Sequence, residues 1–431
     1  MLDYQTVALI AYPAWPQASP AAWEAVARAQ EQIAGHAARR TAAVQSQLAK
    51  VLAAFQAEKL GTHHFASVNG YGHNDQGRDT LDRVFARVLG AEKAAVRLQF
   101  VSGTHAIAAA LFGVLRPGDR LLSITGRPYD TLEEVIGLRG KGQGSLAEFG
   151  ITYSEVPLCG SGAVDKEKLA AAMAFPTRMV LLQRSCGYSW RPSLLVAEIA
   201  ELCDQIKSLQ SDCLIFVDNC YGEFVEAEEP TAVGADLIAG SLIKNLGGTI
   251  APTGAYVAGR ADLVEQACCR LTAPGIGAAA GSGFDLHRLL FQGLFLAPQM
   301  VAEALINADL IAQVFQNQGL EVQPLPGAER SDVIQAVKFG DPKALQEVCR
   351  AFQQCSPVES YLDPVPAPMP GYANELVMAG GTFIDGSTSE FSADAPLREP
   401  FVLFSQGGTH RSHGALAMAA ALTRWWALAP N

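Results

Sequence analysis

The chain has 431 residues, of which 49% are hydrophobic and 17% are charged, and its formal net charge is -11. This length exceeds what a single hydrophobic core usually holds, so we expect one large domain and a smaller one. The hydrophobic fraction argues against intrinsic disorder. The negative charge, with no long basic run, argues against nucleic acid as a partner.

The nine cysteines show no spacing typical of a zinc site or a disulfide framework. We therefore expect reduced thiols and no bound metal. The N-terminal stretch lacks the basic region of a signal peptide, and no run of about 18 uninterrupted apolar residues predicts a membrane span. These features predict a soluble, cytoplasmic protein without a membrane partner.

The first part of the chain predicts a helical arm. Ser19 is a typical N-cap and Pro20 suits the first helical position. The segment from Thr80 to Gly90 then has apolar residues at helical spacing and a glycine stop. After it, predicted strands, turns and helices alternate along the chain.

Short runs rich in Leu, Ile and Val predict strands that are buried on both faces of a parallel sheet. Three such runs are DRLLSITG, RMVLLQRS and DCLIFVDN. Helical stretches such as LLVAEIAELCDQIKSL separate them. This order predicts an α/β domain that binds its ligands at the carboxyl ends of the strands.

A long helix is predicted to begin near Pro298 and to lead into a second, smaller α+β domain that closes with a helix. We therefore predict three parts. Residues 1–60 form an N-terminal helical arm, residues 61–297 a large domain, and residues 298–431 a small C-terminal domain.

Two segments carry the strongest chemical signal. IFVDNCYGEF is an apolar strand that ends at Asp218, and GSLIKNLGG places Lys244 three positions after Ser241. Pyridoxal 5′-phosphate (PLP) needs a lysine amine for its Schiff base and a carboxylate that keeps its pyridine nitrogen protonated. A Ser-x-x-Lys pattern alone is more typical of a solvated surface lysine. Together with Asp218, it predicts that Lys244 holds PLP as an internal aldimine.

Two further features precede these segments. Gly103 and Thr104 follow a predicted strand and open a helix, whose N-terminal N–H groups suit a phosphate. In isolation this pattern is equally typical of an ordinary strand–helix turn. Tyr129 follows the next predicted strand, where its ring could stack on the pyridine, although a lone loop tyrosine usually packs.

Two other interpretations are rejected. GGTIAPTGAYVAG is rich in glycine but lacks the G-x-G-x-x-G pattern and the acidic residue of a dinucleotide site. Cys220 has no obvious base partner for a nucleophile, so we expect it to fill space beside its strand.

The chain resembles PLP-dependent enzymes of fold type I, and among them the lyases of cystathionine and methionine metabolism. It is most similar to the aluminium-resistance, or methionine gamma-lyase-like, proteins. The resemblance runs from about Val51 to the C-terminal helix. It rests on GYGHNDQGRDTLDRVFARVLGAEKAAVR, SGTHA, GRPYDTLEEVIG, QRSCGYSWRPSL, VDNCYGEF, GSLIKNLGG and PLREP. It implies an aspartate aminotransferase-like large domain with a mostly parallel sheet, and a smaller α+β domain.

The resemblance implies roles for the residues that would touch the cofactor. Lys244 would bind PLP and move protons, Asp218 would pair with the pyridinium nitrogen, and Tyr129 would stack on the ring. The implied phosphate ligands are Gly103, Thr104 and Ser241.

The resemblance also implies residues that complete the site. Tyr71 and Arg78 would reach the phosphate from a neighbouring subunit of a homodimer or homotetramer. Arg398 would bind the substrate α-carboxylate, as a guanidinium does bidentately, unless it forms a surface ion pair with Glu399 or another acid. His73 stands where the family more often has tyrosine.

The activity implied by the resemblance is that of a carbon–sulfur lyase, similar to methionine gamma-lyase or cystathionine beta-lyase. Such an enzyme acts on a sulfur-containing amino acid by α-proton abstraction and elimination. A fold does not fix a reaction class, so another PLP-dependent reaction (aldolase, transaminase or racemase) is an alternative. A non-catalytic PLP-binding protein and a scaffold that binds no PLP are further alternatives.

Overall fold

The computed structural model describes residue 15, residues 17–369 and residues 371–428. These residues form two compact units. One contains the described parts of Met1–Gln45 and Gln299–Asn431, and the other is Ser46–Pro298. The predicted arm of residues 1–60 is thus divided between the units, and its residues 1–14 and 16 lie outside the described residues. The domain boundaries at residues 60 and 297 stay predictions.

Eleven α-helices occur among the described residues. They are α1 Pro20–Gln32, α2 Ala34–Ala57, α3 Gln76–Leu89, α4 Gly103–Val114, α5 Asp130–Ile136, α6 Lys166–Ala172, α7 Val196–Leu209, α8 Ala261–Leu271, α9 His287–Asn317, α10 Pro342–Gln354 and α11 Arg411–Trp426.

The same residues contain twelve strands. They are β1 Lys93–Arg97, β2 Arg120–Ser123, β3 Thr152–Glu155, β4 Met179–Gln183, β5 Leu214–Asp218, β6 Leu237–Ser241, β7 Ala255–Gly259, β8 Glu321–Gln323, β9 Gln335–Lys338, β10 Leu376–Ala379, β11 Ser392–Pro396 and β12 Val402–Gln406.

The unit Ser46–Pro298 is built on a seven-stranded sheet with the order β1-β7-β6-β5-β4-β2-β3. Strands β2 to β6 are parallel, whereas β7 is antiparallel to both β6 and β1. The three predicted strand runs are β2, β4 and β5. Every residue of β5 is buried, as expected for a strand covered on both faces.

The other unit contains a five-stranded sheet with the order β10-β11-β12-β9-β8, in which all neighbours are antiparallel. Its core includes the buried side chains of Phe315, Phe352, Leu403 and Met418. The predicted fold class is confirmed: one unit has a mostly parallel sheet and the smaller one is α+β.

At two predicted helix ends the structure has the capping residues that the sequence predicts, Ser19 and Gly90. The Ser19 hydroxyl accepts a hydrogen bond of 3.2 Å from the backbone N–H of Ala22 at the start of α1. Helix α3 ends at Gly90, which has a φ of 65°. This left-handed conformation favours glycine because it has no Cβ.

Helix α9 differs from the prediction, because it begins at His287 and contains Pro298 in its interior. Proline is common at the first helical position, so Pro298 by itself indicates a helix start, but the apolar sequence before it continues the helix. By length and composition α9 could cross a membrane, yet 67% of its most apolar window is buried. Such burial is typical of a core helix in a soluble protein.

Candidate active site

The candidate site is built at one edge of the large sheet. Strands β4, β5 and β6 lie side by side and run in the same direction, with Gln183 paired to Asp218 and Asp218 paired to Ala239. Their carboxyl ends therefore meet at this edge, which is where parallel sheets bind ligands. Asp218 ends β5 and Ser241 ends β6.

Asp218 is a buried carboxylate at this edge, and one of its oxygens accepts a hydrogen bond of 3.1 Å from the backbone N–H of Cys220. Burial raises the pKa of Asp218, and the nearby charge of Lys244 acts in the opposite direction. A buried carboxylate is stabilised by a cationic partner. The protonated pyridine nitrogen of PLP would supply such a partner.

Lys244 follows β6 and directly precedes the short 3₁₀ helix Asn245–Gly247. Its Nζ lies 3.7 Å from the centre of the Tyr221 ring. Burial lowers the pKa of Lys244, but the acidic groups around the amine, among them the Asp218 carboxyl, raise it by more, so the pKa lies above its ordinary value. The amine is therefore a charged ammonium at physiological pH while it is not joined to a cofactor.

Gly103 is the first residue of α4 and lies against the end of β6. A Cβ at this position would be 3.2 Å from the Cβ of Ser241 and 3.3 Å from the Sγ of Cys220. A helix N-terminus presents N–H groups that have no partner within the helix and attract anions. The missing side chain of Gly103 leaves the N-terminus of α4 open next to the Ser241 hydroxyl.

Tyr129 reaches the same helix N-terminus from the loop after β2. Its hydroxyl lies 3.2 Å from the Thr104 hydroxyl, and its backbone N–H donates a hydrogen bond of 3.2 Å to the side chain of Gln183. Burial and the charge of Asp218 raise the pKa of Tyr129. The phenol is therefore neutral at physiological pH.

Six of the sequence-predicted cofactor residues of this unit thus lie close together: Gly103, Thr104, Tyr129, Asp218, Ser241 and Lys244. Lys244 would supply an amine for the aldehyde of PLP, and Asp218 would supply a carboxylate for its protonated pyridine nitrogen. The residues near the helix N-terminus that would hold the phosphate are Gly103, Thr104 and Ser241. The donor set fits PLP.

Cys220 lies inside this site and was expected to fill space. Burial and the charge of Asp218 raise the pKa of its thiol. A thiol that stays protonated is a weak nucleophile, so Cys220 acts here as a small packed side chain next to Gly103.

Tyr71 and Arg78 have very different surroundings. The Tyr71 side chain is 80% exposed, and its ring centre lies 5.5 Å from that of His73. Arg78 is buried, and its guanidinium donates to the carbonyl oxygens of Gly72 and Gly281 and to the Asp79 carboxylate. The proposed contact of Arg78 with a phosphate would have to compete with these bonds, and its role stays a prediction.

Arg398 lies in the other unit, in the turn between β11 and β12, and is half-buried. Its backbone N–H donates a hydrogen bond of 2.9 Å to the Pro396 carbonyl, and its own carbonyl accepts one of 2.8 Å from Phe401. These bonds fix the backbone of the turn. The role of Arg398 in binding a carboxylate stays a prediction.

The loop after Asp218 contains residues that sequence reasoning missed. The side-chain amide of Asn245 donates hydrogen bonds of 2.9 Å to the Tyr221 carbonyl and 2.8 Å to the Glu223 carbonyl. Tyr221 has a φ of 72°, which costs about 1–2 kcal/mol for a residue other than glycine. The sequence feature that could have identified Asn245 is its position directly after Lys244.

A buried polar network lies next to this loop. The fully buried Arg184 donates to the side chains of Asn219, at 2.7 Å, and Glu229, at 3.2 Å. Asn219 contacts Tyr256, whose hydroxyl donates a hydrogen bond of 2.8 Å to Glu223. Burial raises the pKa of Glu223 to about 8. The network therefore fixes the side chain of Asn219, the residue that directly follows Asp218.

Known proteins are similar to this chain along most of its length. The family model for methionine gamma-lyase matches residues 22–426. The crystal structure of a carbon–sulfur lyase involved in aluminium resistance from Clostridium novyi NT is 43% identical to this chain, with a TM-score of 0.92. The match covers 98% of this chain and 99% of that one.

Two curated relatives extend the comparison. The uncharacterized protein YnbB of Bacillus subtilis is 47% identical over 86% of this chain and 89% of its own length. The L-methionine gamma-lyase of Pseudomonas deceptionensis is 25% identical over 61% of each chain. Because the family model spans nearly all of the described residues, this chain belongs to the methionine gamma-lyase family of PLP-dependent fold type I lyases.

Proposed function

We propose that this chain is a carbon–sulfur lyase that eliminates a thiol from a sulfur-containing amino acid and releases a 2-oxo acid and ammonia. The observation that supports it most is the meeting of Lys244 and Asp218 at one sheet edge, beside the open N-terminus of α4. The reactions named for its relatives, methionine gamma-elimination and cystathionine beta-elimination, are the two candidates.

Each residue of the site would have a separate role in this reaction. PLP supplies an electron sink for the negative charge that develops at the substrate α-carbon. Nζ of Lys244 would take the α-proton and return a proton later in the reaction. Asp218 would hold the positive charge of the pyridine nitrogen, and the neutral Tyr129 would pack on the ring and keep water away from it.

The phosphate would bind at the N-terminus of α4. Backbone N–H groups at Gly103 and Thr104 and the hydroxyls of Thr104 and Ser241 would donate to its oxygens. These contacts would hold the cofactor in the site while it is not covalently bonded to Lys244.

Two residues are proposed to act on the substrate and across a subunit interface. Arg398 would bind the α-carboxylate through two parallel N–H donors. The exposed Tyr71, with Arg78, would reach the phosphate of a neighbouring copy in a homodimer or homotetramer. The nine cysteines form no disulfide in the described structure, which is typical of a cytoplasmic protein, and we propose that compartment.

The reaction is tested by supplying PLP-loaded protein with methionine, cystathionine or cysteine, and measuring the thiol and the 2-oxo acid together. Equal amounts of both products from one of the three would support the lyase. If none of them reacts while a transamination or retro-aldol assay gives product, the lyase proposal is wrong and another PLP reaction replaces it.

A further inference from the structure

The ring of Tyr221 faces the amine of Lys244. The Nζ atom lies 3.7 Å from the ring centre, which is well inside the range in which an ammonium is attracted to the face of an aromatic ring. Lys244 is half-buried, and such attraction is stronger the more water is excluded.

The backbone of Tyr221 is held in an unfavourable conformation to place the ring there. Its φ is 72°, a left-handed value that disfavours side chains with a Cβ. Asn245 donates to its carbonyl oxygen, and the backbone N–H of Gly222 donates to the carbonyl of Asn219. Because strained residues persist where their surroundings fix them, and often at functional sites, the position of the ring calls for a functional reason.

We propose that the ring of Tyr221 is the binding site for the amine of Lys244 whenever that amine is not joined to the cofactor. The inference rests on the proposed role of Lys244. In each reaction cycle the amine must leave the cofactor, stay close to the α-carbon and return. An ammonium on the ring face stays close enough to Asp218 to interact with its charge. Tyr221 is thus a positioning residue that acts through Lys244.

Removing the ring has an effect opposite to that of simple loss of packing. The ring stabilises the charged amine, so a variant without it should release the proton from Lys244 more easily. The neutral amine is the form that attacks the aldehyde of PLP. The rate of PLP uptake by the apoprotein should rise with pH as Lys244 loses its proton. Below the midpoint of this rise, a variant without the ring should take up PLP faster than the wild type, whereas damaged packing would make uptake slower.

The experiment mixes apoprotein with PLP over a range of pH and follows the visible absorbance of the lysine-bound cofactor. The variants are Tyr221→Leu and Tyr221→Phe, which keep the Cβ and hence the same backbone strain. Tyr221→Met is a second variant without a ring in case the leucine protein does not fold. The other titratable groups near the amine stay in place in all of them: Cys220, Asp218, Tyr129 and Glu223.

In Tyr221→Leu and Tyr221→Met, the midpoint of the pH–rate profile should fall by about half a unit to one and a half units. In Tyr221→Phe it should stay close to that of the wild type, since phenylalanine keeps the ring. An unchanged midpoint in the variants without a ring would overturn the inference, and so would an equal fall in Tyr221→Phe, which would point to the hydroxyl. If the wild type itself forms no lysine-bound band, the proposed role of Lys244 fails instead.

Discussion

Asn245 donates a hydrogen bond of 2.9 Å from its side-chain amide to the backbone carbonyl of Tyr221. Asn245 directly follows Lys244, and Tyr221 lies three positions after Asp218. This bond thus joins the segment that carries the amine to the segment that carries the carboxylate. A displacement of about 1 Å can cost roughly 100-fold in rate, so the link between the two segments matters for the proposed chemistry.

Asn245→Ala should lower the free energy of unfolding of the apoprotein by about 1–3 kcal/mol, because two buried carbonyl groups lose their donor. The measurement is urea denaturation. Asn317→Ala is the matched control, since Asn317 is exposed and its amide is hydrogen-bonded to the side chains of Gln32 and Gln313. Its effect should stay within about 0.5 kcal/mol. Equal effects of the two substitutions would contradict a special role for Asn245.

Asp218→Asn should lower kcat about 10- to 150-fold, which is the loss expected when a charged hydrogen bond worth about 1.5–3 kcal/mol is removed. An amide keeps the shape of the side chain but cannot neutralise a protonated ring nitrogen. Asp212→Asn, at an exposed position two residues before the start of β5, serves as the control and should leave kcat unchanged. Wild-type turnover in Asp218→Asn would remove this carboxylate from the proposed mechanism.

Gly103→Ala should weaken PLP binding while the protein still folds. The new Cβ would lie 3.2 Å from Ser241 and 3.3 Å from Cys220, so it would narrow the space at the N-terminus of α4. We expect a rise in the Kd for PLP of about tenfold, the equivalent of one good hydrogen bond to a charged group, measured by absorbance titration. Gly160→Ala, which meets no atom within 4 Å, should bind PLP as the wild type does.

The main features of the fold were predictable because they depend on patterns that are local in sequence. The aliphatic runs of β2, β4 and β5 and the capping signals at Ser19 and Gly90 identified strands and helix ends correctly. The start of α9 was not predictable, because Pro298 has the same local signature inside this helix as at a helix start.

The site was predictable only in part, for a related reason. Lys244 and Asp218 stand out because each ends or follows an apolar strand, so their meeting follows from the parallel order of the sheet. Tyr221 does not stand out, because its importance arises from a left-handed backbone and a contact with Nζ of Lys244. Neither feature has a signature in the sequence around it.

Glu223 should make the stability of the protein depend on pH. Burial raises its pKa from 4.5 to about 8, so the folded protein keeps a proton that the unfolded chain releases above 4.5. The stabilisation from this proton is complete below the unfolded pKa and is lost as the pH rises toward about 8.

Glu223→Gln keeps a neutral side chain of the same shape at every pH and should escape this loss. Relative to the wild type, its free energy of unfolding should rise by on the order of 1 kcal/mol for each pH unit between the two pKa values, as measured by urea denaturation. The exposed Glu201→Gln is the control and should show no such trend. A difference between Glu223→Gln and the wild type that is independent of pH would show that Glu223 is ionised in the folded protein.

The proposed chemistry depends on the amine of Lys244, which would carry the cofactor. The most direct measurement is treatment of the PLP-loaded protein with borohydride, followed by mass determination of the peptide that retains the cofactor. The wild type should retain it on Lys244, and Lys244→Ala should retain none, since alanine has no amine to join to the aldehyde. Cofactor fixed at another lysine of the wild type, or equal retention in Lys244→Ala, would contradict the account.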